Sequence, residues 1–436
     1  MKLLLSLRNK IFISIVKFSC IFNLPKIYSF MLILSLKKIK NIKYKKKISK
    51  KKILFFYKSI GIDDITSAFN SIPSDYPIYF CESIYILEVF NYFVSNRVKD
   101  YDYIKKNSSL GKKKYKIFMK EVFSNLKGYW NLGGFMSSSI FYRQIKEIEN
   151  LSQEINLPFI VIQKEGIRTK KERKVADWLI KNRVGKFCGS KLIVYNNDEK
   201  KTYIKTKYAP QNKIEVCGCP RFDNYFRLKN KPQKKSIAFF LIQKEYGLPI
   251  KNFKWFIPDI LKKKLNVKKF DWNFLNIQYL KIIKKFIDNN PDYKIILKTK
   301  TGYIAQQSKY FENLKRKNFT LIKGGDSFNV IKKCRYIVAF SSTVLFEAIA
   351  ANRILISIRD LVKNKNYKGF ILDTKNLHYD SNSLNNLDKL KQKKNLVEKK
   401  FILNKYMGNI KGNSSNKVAR SINHHLNFYH SRFKNN

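Results

Sequence analysis

The chain has 436 residues, too many for one ordinary hydrophobic core, and this length predicts two α/β domains of about 150 to 200 residues each. Hydrophobic residues make up 44% of the chain and aromatic residues 15%, which excludes an intrinsically disordered protein. The formal net charge of +58 is spread along the whole chain, mostly as Lys. It therefore argues against a specific nucleic-acid interface and favours small anionic partners and acidic lipid headgroups.

The cysteines and histidines exclude several kinds of catalytic centre. The six cysteines lack the paired spacing of a zinc site or a disulfide framework, which indicates a reducing, cytosolic compartment. All four histidines lie at or beyond His378, so we expect no Ser-His-Asp or His-metal centre in the body of the protein. Asp100-Tyr101-Asp102 spells the D-x-D of metal-dependent transferases, but it follows a helical pattern instead of a strand. We expect no metal and no cofactor.

The N-terminal segment, residues 1–52, joins an apolar stretch to a basic one. Lys17, Pro25 and Lys26 interrupt the apolar stretch before it reaches the ~20 residues of a spanning helix, and no signal-peptide cleavage site is evident. The basic stretch, KKIKNIKYKKKISKKK, contains no acidic residue. This pattern predicts a peripheral, cytoplasmic protein whose first segment binds the anionic inner face of the cell membrane. A disordered, solvated tail is the alternative.

Short apolar runs alternate with helical patterns from residue 53 onward and predict a first domain over residues 53–228. Its predicted strands are ILFFY (53–57), GGFMSS (133–138), PFIVIQ (158–163), KLIVY (191–195) and a run that ends at Cys217. The helical pattern RQIKEIENLSQEI connects the second of these strands to the third. This rhythm is typical of a Rossmann-like parallel sheet, here the acceptor domain.

A basic, Pro-containing run at residues 229–236 is the predicted linker, and a second α/β domain, for the nucleotide donor, follows at 237–412. Its predicted strands are IAFFLI (237–242), YKIILK (293–298), FTLIK (319–323), RYIVAF (335–340) and ILISI (354–358). A last helix in residues 413–436 is expected to return across the domains. The predicted fold is therefore α/β, with two Rossmann-like domains facing a cleft.

Three hydroxyl residues, Ser341, Ser342 and Thr343, directly follow the strand RYIVAF, and the next helix carries one carboxylate, Glu347. In open α/β sheets, ligands bind at the carboxyl ends of strands, where helix N-termini present unpaired N–H groups. This turn is therefore suited to hold a phosphate. Helix capping is the alternative, although a capping box would place the carboxylate three residues after the cap, and Glu347 lies four after Thr343.

Several short motifs occur in an order that resembles the order found in a known protein family. The motifs are KKIL, QKEG, GCPRFD, SSTVLFEAIA and YMGNIKGNSSNKV. In this order they resemble bacterial surface-polysaccharide glycosyltransferases of the GT-B fold and the related CDP-glycerol glycerophosphotransferases, over most of the chain from Lys52. The segment LKTKTG departs from this pattern, because relatives often carry a Lys-Pro-His type of segment there.

The resemblance implies a donor site around the hydroxyl turn. Ser341, Ser342 and Thr343 match the segment whose hydroxyls and backbone amides hold the donor diphosphate. Glu347 matches the carboxylate that receives the ribose hydroxyls.

The resemblance also implies residues near the hinge and the leaving group. Gly218, Arg221 and Asp223 match the G-x-P-R-x-D segment that leads toward the hinge and the cleft. Lys298 and Lys300 would neutralise the charge that builds on the departing diphosphate, a role that GT-B enzymes give to protein cations instead of a metal. In so basic a chain, solvated surface is the alternative for either lysine.

Glu165, in QKEG, is the predicted general base. It follows a predicted strand, matches the acidic residue that faces the cleft in the family, and could take the proton of a sugar hydroxyl. Gly166 would leave room for the acceptor. The alternative is a surface carboxylate paired with Lys164 or Arg168.

We therefore expect an enzyme, a metal-independent glycosyltransferase of cell-envelope carbohydrate synthesis. It would move a sugar from a nucleotide-activated donor to a surface polysaccharide or lipid-linked acceptor. One alternative is a glycerophosphate or polyol-phosphate transferase of the same architecture. This alternative predicts histidines near the cleft. Another is a non-catalytic scaffold of a polysaccharide assembly complex, which would bind no nucleotide.

Overall fold

The structure is a computed structural model and describes residues 2–57, 62–95, 109–242, 259–265, 271–299, 311, 317–363 and 365–432. The chain forms two compact units. Unit 1 comprises Met1–Gly166, Asp177–Arg221 and Asn413–Asn436. Unit 2 comprises Ile167–Ala176 and Phe222–Gly412.

Unit 1 is built on a seven-stranded sheet in the order β1-β3-β2-β4-β5-β6-β7. The strands are β1 (Lys37–Lys38), β2 (Lys52–Tyr57), β3 (Ile78–Glu82), β4 (Leu132–Ser137), β5 (Phe159–Ile162), β6 (Lys191–Val194) and β7 (Ile214–Val216). The short edge strand β1 pairs antiparallel with β3, and every other pairing in this sheet is parallel.

Helices cover this sheet and begin where local sequence favours them. They are α1 (Lys2–Ile21), α2 (Pro25–Ser35), α3 (Ile62–Ser71), α4 (Ser83–Val94), α5 (Ser109–Tyr129), α6 (Arg143–Glu154), α7 (Lys170–Leu179, which passes from unit 2 into unit 1) and α8 (Asn197–Lys205). Pro25 occupies the first turn of α2, where its missing N–H costs nothing. Asn196 caps α8 by accepting a hydrogen bond from the Glu199 amide.

Residues 2–52 are an integral part of unit 1. Helix α1 packs on α4, and α2 packs on α5. Phe12, Val16, Tyr28 and Leu32 are buried in these contacts. The alternative of a disordered tail is therefore wrong for these residues. Among the described helices, none is both long and apolar enough to cross a membrane.

Unit 2 is built on a five-stranded, fully parallel sheet in the order β10-β9-β8-β11-β12. The strands are β8 (Gln233–Phe240), β9 (Lys294–Lys298), β10 (Phe319–Ile322), β11 (Cys334–Ala339) and β12 (Ile354–Ser357). The helices that follow in chain order are α9 (Asp223–Phe226), α10 (Asp259–Lys264), α11 (Trp272–Asn289), α12 (Phe328–Lys333), α13 (Val344–Ala350) and α14 (Leu396–Met407). Counted along the chain, this is the 3-2-1-4-5 order of a Rossmann sheet. The predicted class of two Rossmann-like α/β folds is confirmed.

The boundary between the two units differs from the predicted domain boundary. The chain passes between the units at Arg221 and Phe222, upstream of the predicted linker at residues 229–236. The last four residues of that linker, from Gln233 onward, already belong to β8, because their backbone pairs with β9 and β11.

The last helix, α15 (Ser414–Arg432), belongs to unit 1 and packs on α3. Its residues Val418, Ala419, Ile422 and Leu426 join the hydrophobic cluster under β2. The predicted C-terminal helix is therefore a core element of unit 1 over Ser414–Arg432, since a helix with this apolar stripe needs a partner to bury it.

Candidate functional site

Unit 2 contains a cavity of about 330 Å³ at the carboxyl ends of its strands. Its lining residues are Ile167, Glu172, Phe240, Leu241, Ile242, Lys298, Thr299, Gly325, Ser327, Phe340, Ser341, Ser342, Thr343, Val344, Glu347 and Leu372. The cavity thus brings together the predicted hydroxyl turn, Lys298 and Glu347 within one unit.

The topology of the sheet explains why a cavity lies here. Strand β8 is the first strand of the sheet in chain order. Its neighbours β9 and β11 lie on opposite sides of it, so the strand order reverses between β8 and β11. The loops after β8 and β11 therefore diverge and open a crevice, which is where ligands bind in open α/β sheets. Phe240 ends β8 and Phe340 follows β11, and both lie in the cavity wall.

Glu347 is a buried carboxylate in the cavity wall, held by hydrogen bonds from three hydroxyl groups. Its side chain is only 4% exposed. Oε2 accepts hydrogen bonds from the Tyr225 hydroxyl (3.0 Å) and the Ser327 hydroxyl (2.6 Å), and Oε1 accepts one from the Thr343 hydroxyl (3.2 Å). A carboxylate offers about four lone-pair positions. Three are used by described residues, so Oε1 retains one position for a ligand hydroxyl.

Tyr225 is held as a hydrogen-bond donor by its surroundings. Burial raises the pKa of its phenol well above the usual range, and the neighbouring Glu347 carboxylate raises it further. Its hydroxyl also lies 3.1 Å from Ser327 Oγ. The phenol therefore stays protonated and fixes the rotamer of Glu347.

The three hydroxyls of the turn have different partners. Ser341 Oγ accepts a hydrogen bond from the Leu372 amide (3.0 Å), and Ser342 Oγ accepts one from the Val344 amide (3.4 Å). Both serines act as acceptors in these contacts, and within the described ranges their hydroxyl hydrogens remain available to a phosphate oxygen. Thr343 instead donates to Glu347 and precedes α13 as its N-cap residue without a side-chain cap bond.

Lys298 lies at the end of β9 with its ammonium group turned toward backbone. Nζ donates to the carbonyls of Thr299 (3.1 Å), Gly324 and Gly325 (3.0 Å). Both glycines have positive φ, 68° and 77°, which lets the turn fold back over the lysine. Burial lowers the pKa of Lys298, which the charges of Asp326 and Glu347 partly oppose. All three ammonium hydrogens are used, so a direct bond to a phosphate requires exchange of one.

Glu172 brings a second carboxylate to the cavity wall. Thr169 and Glu172 form a capping box at the start of α7, because the Thr169 amide donates to Glu172 Oε2 (2.8 Å) and the Glu172 amide donates to Thr169 Oγ1 (3.2 Å). Burial raises the pKa of Glu172 to about 7, against the lowering effects of Thr169, Arg168 and Arg173. This carboxyl can change its proton state near neutral pH.

Glu165 belongs to unit 1, where it follows β5 and is exposed to solvent. Its role as general base stays a prediction. The neighbouring Gly166 has a packing reason, because a Cβ there would meet the Glu199 side chain at 3.0 Å and the Tyr195 ring at 3.4 Å. The Gly166 carbonyl also accepts from Asn196 Nδ2 (3.0 Å). Close packing of unit 1 therefore accounts for the glycine without an acceptor sugar.

The G-x-P-R-x-D residues lie on both sides of the division between the units. Gly218 has a positive φ of 84°. Arg221 Nη1 contacts both carboxylate oxygens of Asp64, at 3.1 and 3.0 Å, and therefore neutralises a charge that is 2% exposed in unit 1. Asp223, fully buried in unit 2, accepts from Asn409 Nδ2 (3.0 Å). The contacts of Arg221 and Asp223 hold the structure of their own units.

Two sequence-based hypotheses fall on residues outside the described part of the chain. They are Lys300, as a second cation for the leaving group, and Asp100-Tyr101-Asp102, the D-x-D match. Within the ranges that the structure does describe, no group of three or more His, Cys, Asp or Glu side chains is arranged to hold a metal ion.

Sequence reasoning missed Tyr225, Ser327, Thr299 and Glu172 as lining or supporting residues of the cavity. A local signal existed only for Glu172, because T-x-x-E before a helix is the pattern of a capping box. Tyr225 reaches Glu347 across 122 positions of sequence, and that contact exists only in the folded unit.

The sequence matches no protein-family model and no curated protein sequence. Solved structures do match. The wall teichoic acid polymerase TagF is similar at 13% identity with a TM-score of 0.48, over 95% of this chain and 96% of that chain. UDP-GlcNAc 2-epimerase from Neisseria meningitidis, solved with bound UDP-GlcNAc, is similar at 12% identity with a TM-score of 0.45, over 85% and 98%. The enzyme of the same name from Methanocaldococcus jannaschii is similar at 12% identity with a TM-score of 0.44, over 86% and 99%.

These three similar proteins are enzymes of two kinds, a polymerase and an epimerase. The fold class of this chain follows from its own two parallel sheets.

Proposed function

We propose that this protein is a glycosyltransferase that moves a sugar from a nucleotide-activated donor to a polysaccharide or lipid-linked acceptor of the cell envelope. The observation that carries the proposal is the cavity at the strand ends of unit 2, where Glu347 and the serines of the hydroxyl turn keep hydrogen-bonding capacity for a ligand. This cavity is the donor site of the proposal.

The chemistry of a nucleotide diphosphate fits these groups. The ribose hydroxyls are donors and would bind Glu347 Oε1, whose remaining lone pair needs a donor. The diphosphate oxygens are acceptors and would bind the hydroxyl hydrogens of Ser341 and Ser342. The positive charge of Lys298 lies in the same wall and attracts the diphosphate even while its hydrogens bond the loop carbonyls.

In the proposed reaction, an acceptor hydroxyl oxygen attacks the anomeric carbon of the donor sugar. A new carbon–oxygen bond forms as the bond to the diphosphate oxygen breaks, and the nucleoside diphosphate leaves with that electron pair. The hydroxyl proton passes to a general base, for which Glu165 is our candidate. Fixed hydroxyls and the lysine charge would stabilise the leaving diphosphate, so the scheme uses no metal.

The proposal is tested with a panel of radiolabelled nucleotide sugars and membrane extract as acceptor source. We expect label from at least one sugar to enter the polymer or lipid fraction in the presence of the full-length protein. Transfer of label from CDP-glycerol alone would favour the polyol-phosphate transferase instead. No transfer and no binding of any nucleotide would favour the scaffold.

The base assignment has its own test, the variant Glu165→Gln. It preserves the shape of the side chain but cannot accept a proton, so we expect turnover to fall about 100-fold while donor affinity stays unchanged. Donor affinity and transfer rate are measured on the same purified variant. A variant that transfers sugar at the wild-type rate would show that Glu165 is a surface carboxylate. The control is Glu154→Gln, on α6 of the same unit, which should not change the rate.

A further inference from the structure

The N-terminal helix pair carries a concentration of exposed apolar side chains. Seven large apolar residues between positions 11 and 34 are well exposed, out of twenty such residues in the described parts of the chain. We call them the apolar face: Ile11, Phe18, Ile21, Phe22, Ile27, Phe30 and Leu34. Single exposed apolar residues are ordinary, but a cluster of this kind marks a surface that contacts something other than water.

The apolar face has the periodicity of a helix surface. On α1, Ile11 and Phe18 lie seven residues apart, and on α2, Ile27, Phe30 and Leu34 are spaced by three and four. Such residues share one side of a helix. The Phe18 and Phe22 rings lie 4.7 Å apart between centroids, so the face continues past the end of α1.

The opposite sides of the two helices are already occupied. Phe12 and Val16 of α1 and Tyr28 and Leu32 of α2 are buried within unit 1, where the helices pack on α4 and α5. The rings of Phe12 and Tyr85 lie 4.0 Å apart between centroids. The helices are therefore anchored to the protein by one side and present the other outward.

The charge around the apolar face identifies its partner. Lys10, Lys17 and Lys26 are exposed on the same two helices, and the segment 1–52 contains fifteen Lys and Arg but no Asp or Glu. A second copy of this surface would bring like charges together. An anionic bilayer instead offers acyl chains for the apolar residues and phosphates for the lysines, each worth about 1 kcal/mol near such a surface.

We propose that the apolar face inserts into the headgroup region of an anionic membrane, with α1 and α2 lying parallel to its surface. The exposed lysines of these helices, Lys10, Lys17 and Lys26, then contact lipid phosphates. Within residues 37–52, Lys37 and Lys45 are instead paired with Glu82 and Asp75 of the protein. This surface is separate from the donor cavity of unit 2, and the proposal does not depend on the transferase reaction.

The test is co-flotation of the full-length protein with vesicles made of equal parts of phosphatidylcholine and phosphatidylglycerol. The variant Phe18→Ser with Phe30→Ser removes two rings that are 49% and 59% exposed, and the control below removes rings of similar exposure, so that the two variants have a similar effect on the fold. We expect vesicle affinity to fall by about tenfold or more. The control is Phe274→Ser with Phe428→Ser, which removes rings that are 42% and 57% exposed elsewhere on the protein and should leave affinity unchanged.

The lipid and salt dependence test the role of charge. We expect binding to weaken on vesicles of phosphatidylcholine alone and on addition of salt, because exposed charges are screened. Equal loss of binding in both double variants, or none in the first, would overturn the proposal. A dimeric wild-type protein would also overturn the proposal if the Phe18 and Phe30 substitutions made it monomeric without changing its vesicle binding. The apolar face would then join two copies of the protein.

Discussion

Glu347 was predicted from the sequence to bind the ribose of the donor, and the structure shows which groups of the protein surround its carboxylate. Three hydroxyls from Tyr225, Ser327 and Thr343 donate to it. Removing the carboxylate would take away an acceptor that these three hydroxyls share, among them the buried Tyr225, and that loss itself costs stability. The Ala variant would therefore mix two effects, and the isosteric amide is the sharper probe.

For Glu347→Gln we expect nucleotide affinity to fall by about 1 to 3 kcal/mol, because a ribose hydroxyl loses a charged acceptor. The melting temperature should change less than in Glu347→Ala. Calorimetric titration and thermal unfolding of both variants check this, with Glu398→Gln, on α14 outside the cavity, as the control. An unchanged dissociation constant would leave Glu347 with a structural role only.

Glu172 makes a pH-dependent contribution to stability. In the folded protein its pKa is raised from 4.5 to about 7, mainly by burial. Between these two values the folded state binds the proton and the unfolded state does not, so the free energy of unfolding falls as pH rises through this range. The contribution is fully present below pH 4.5 and is lost above about pH 7.

Glu172→Gln keeps the capping box but cannot titrate. We expect its melting temperature, relative to wild type, to rise between about pH 5 and about pH 8. Thermal unfolding of both proteins across this range is the measurement, and Glu398→Gln again serves as the control. A difference that does not vary with pH would mean that Glu172 is ionised throughout.

At the scale of elements, α15 is the clearest departure from chain order. It follows unit 2 in sequence and completes the core of unit 1, where Ile422 is fully buried. Ile422→Ala should destabilise unit 1 by about 2 to 5 kcal/mol, as for other large-to-small core substitutions. Phe428→Ala, at an exposed position of the same helix, should change stability by less than about 0.5 kcal/mol. Urea unfolding with hydrogen exchange in β2 and α3 distinguishes the two, and equal effects would contradict the placement of α15.

Apart from β3, the strands from residue 52 onward could be predicted, because each is a short apolar run between polar segments. Strand β3 could not, since its residues IYFCE continue directly into the apolar helix α4 and the period does not change at a visible boundary. The hydroxyl turn and Glu347 were predicted because ligands bind at the carboxyl ends of parallel strands and because their motif resembles that of a known family. Tyr225 and Ser327 were not, because long-range packing alone brings them to the carboxylate.

At the scale of the whole molecule, the two proposed binding surfaces lie in regions of the chain that were distinguishable in sequence. The cavity of unit 2 is formed by strand-end loops, whereas the apolar face lies on the N-terminal helices of unit 1. The pattern of basic and apolar residues was readable in residues 1–52. Which side of each helix is exposed was not, because that depends on the contacts with α4 and α5.

The central claim is that the unit 2 cavity binds a nucleoside diphosphate, and calorimetric titration of the full-length protein with UDP, CDP, GDP and CMP tests it most directly. We predict saturable binding of at least one nucleoside diphosphate, weakened about tenfold or more in the variant Ser341→Ala with Ser342→Ala, which removes two hydroxyl donors. Ser383→Ala, in unit 2 outside the cavity, should bind as wild type. Absence of binding to every nucleotide, or wild-type affinity in the double variant, would contradict the account.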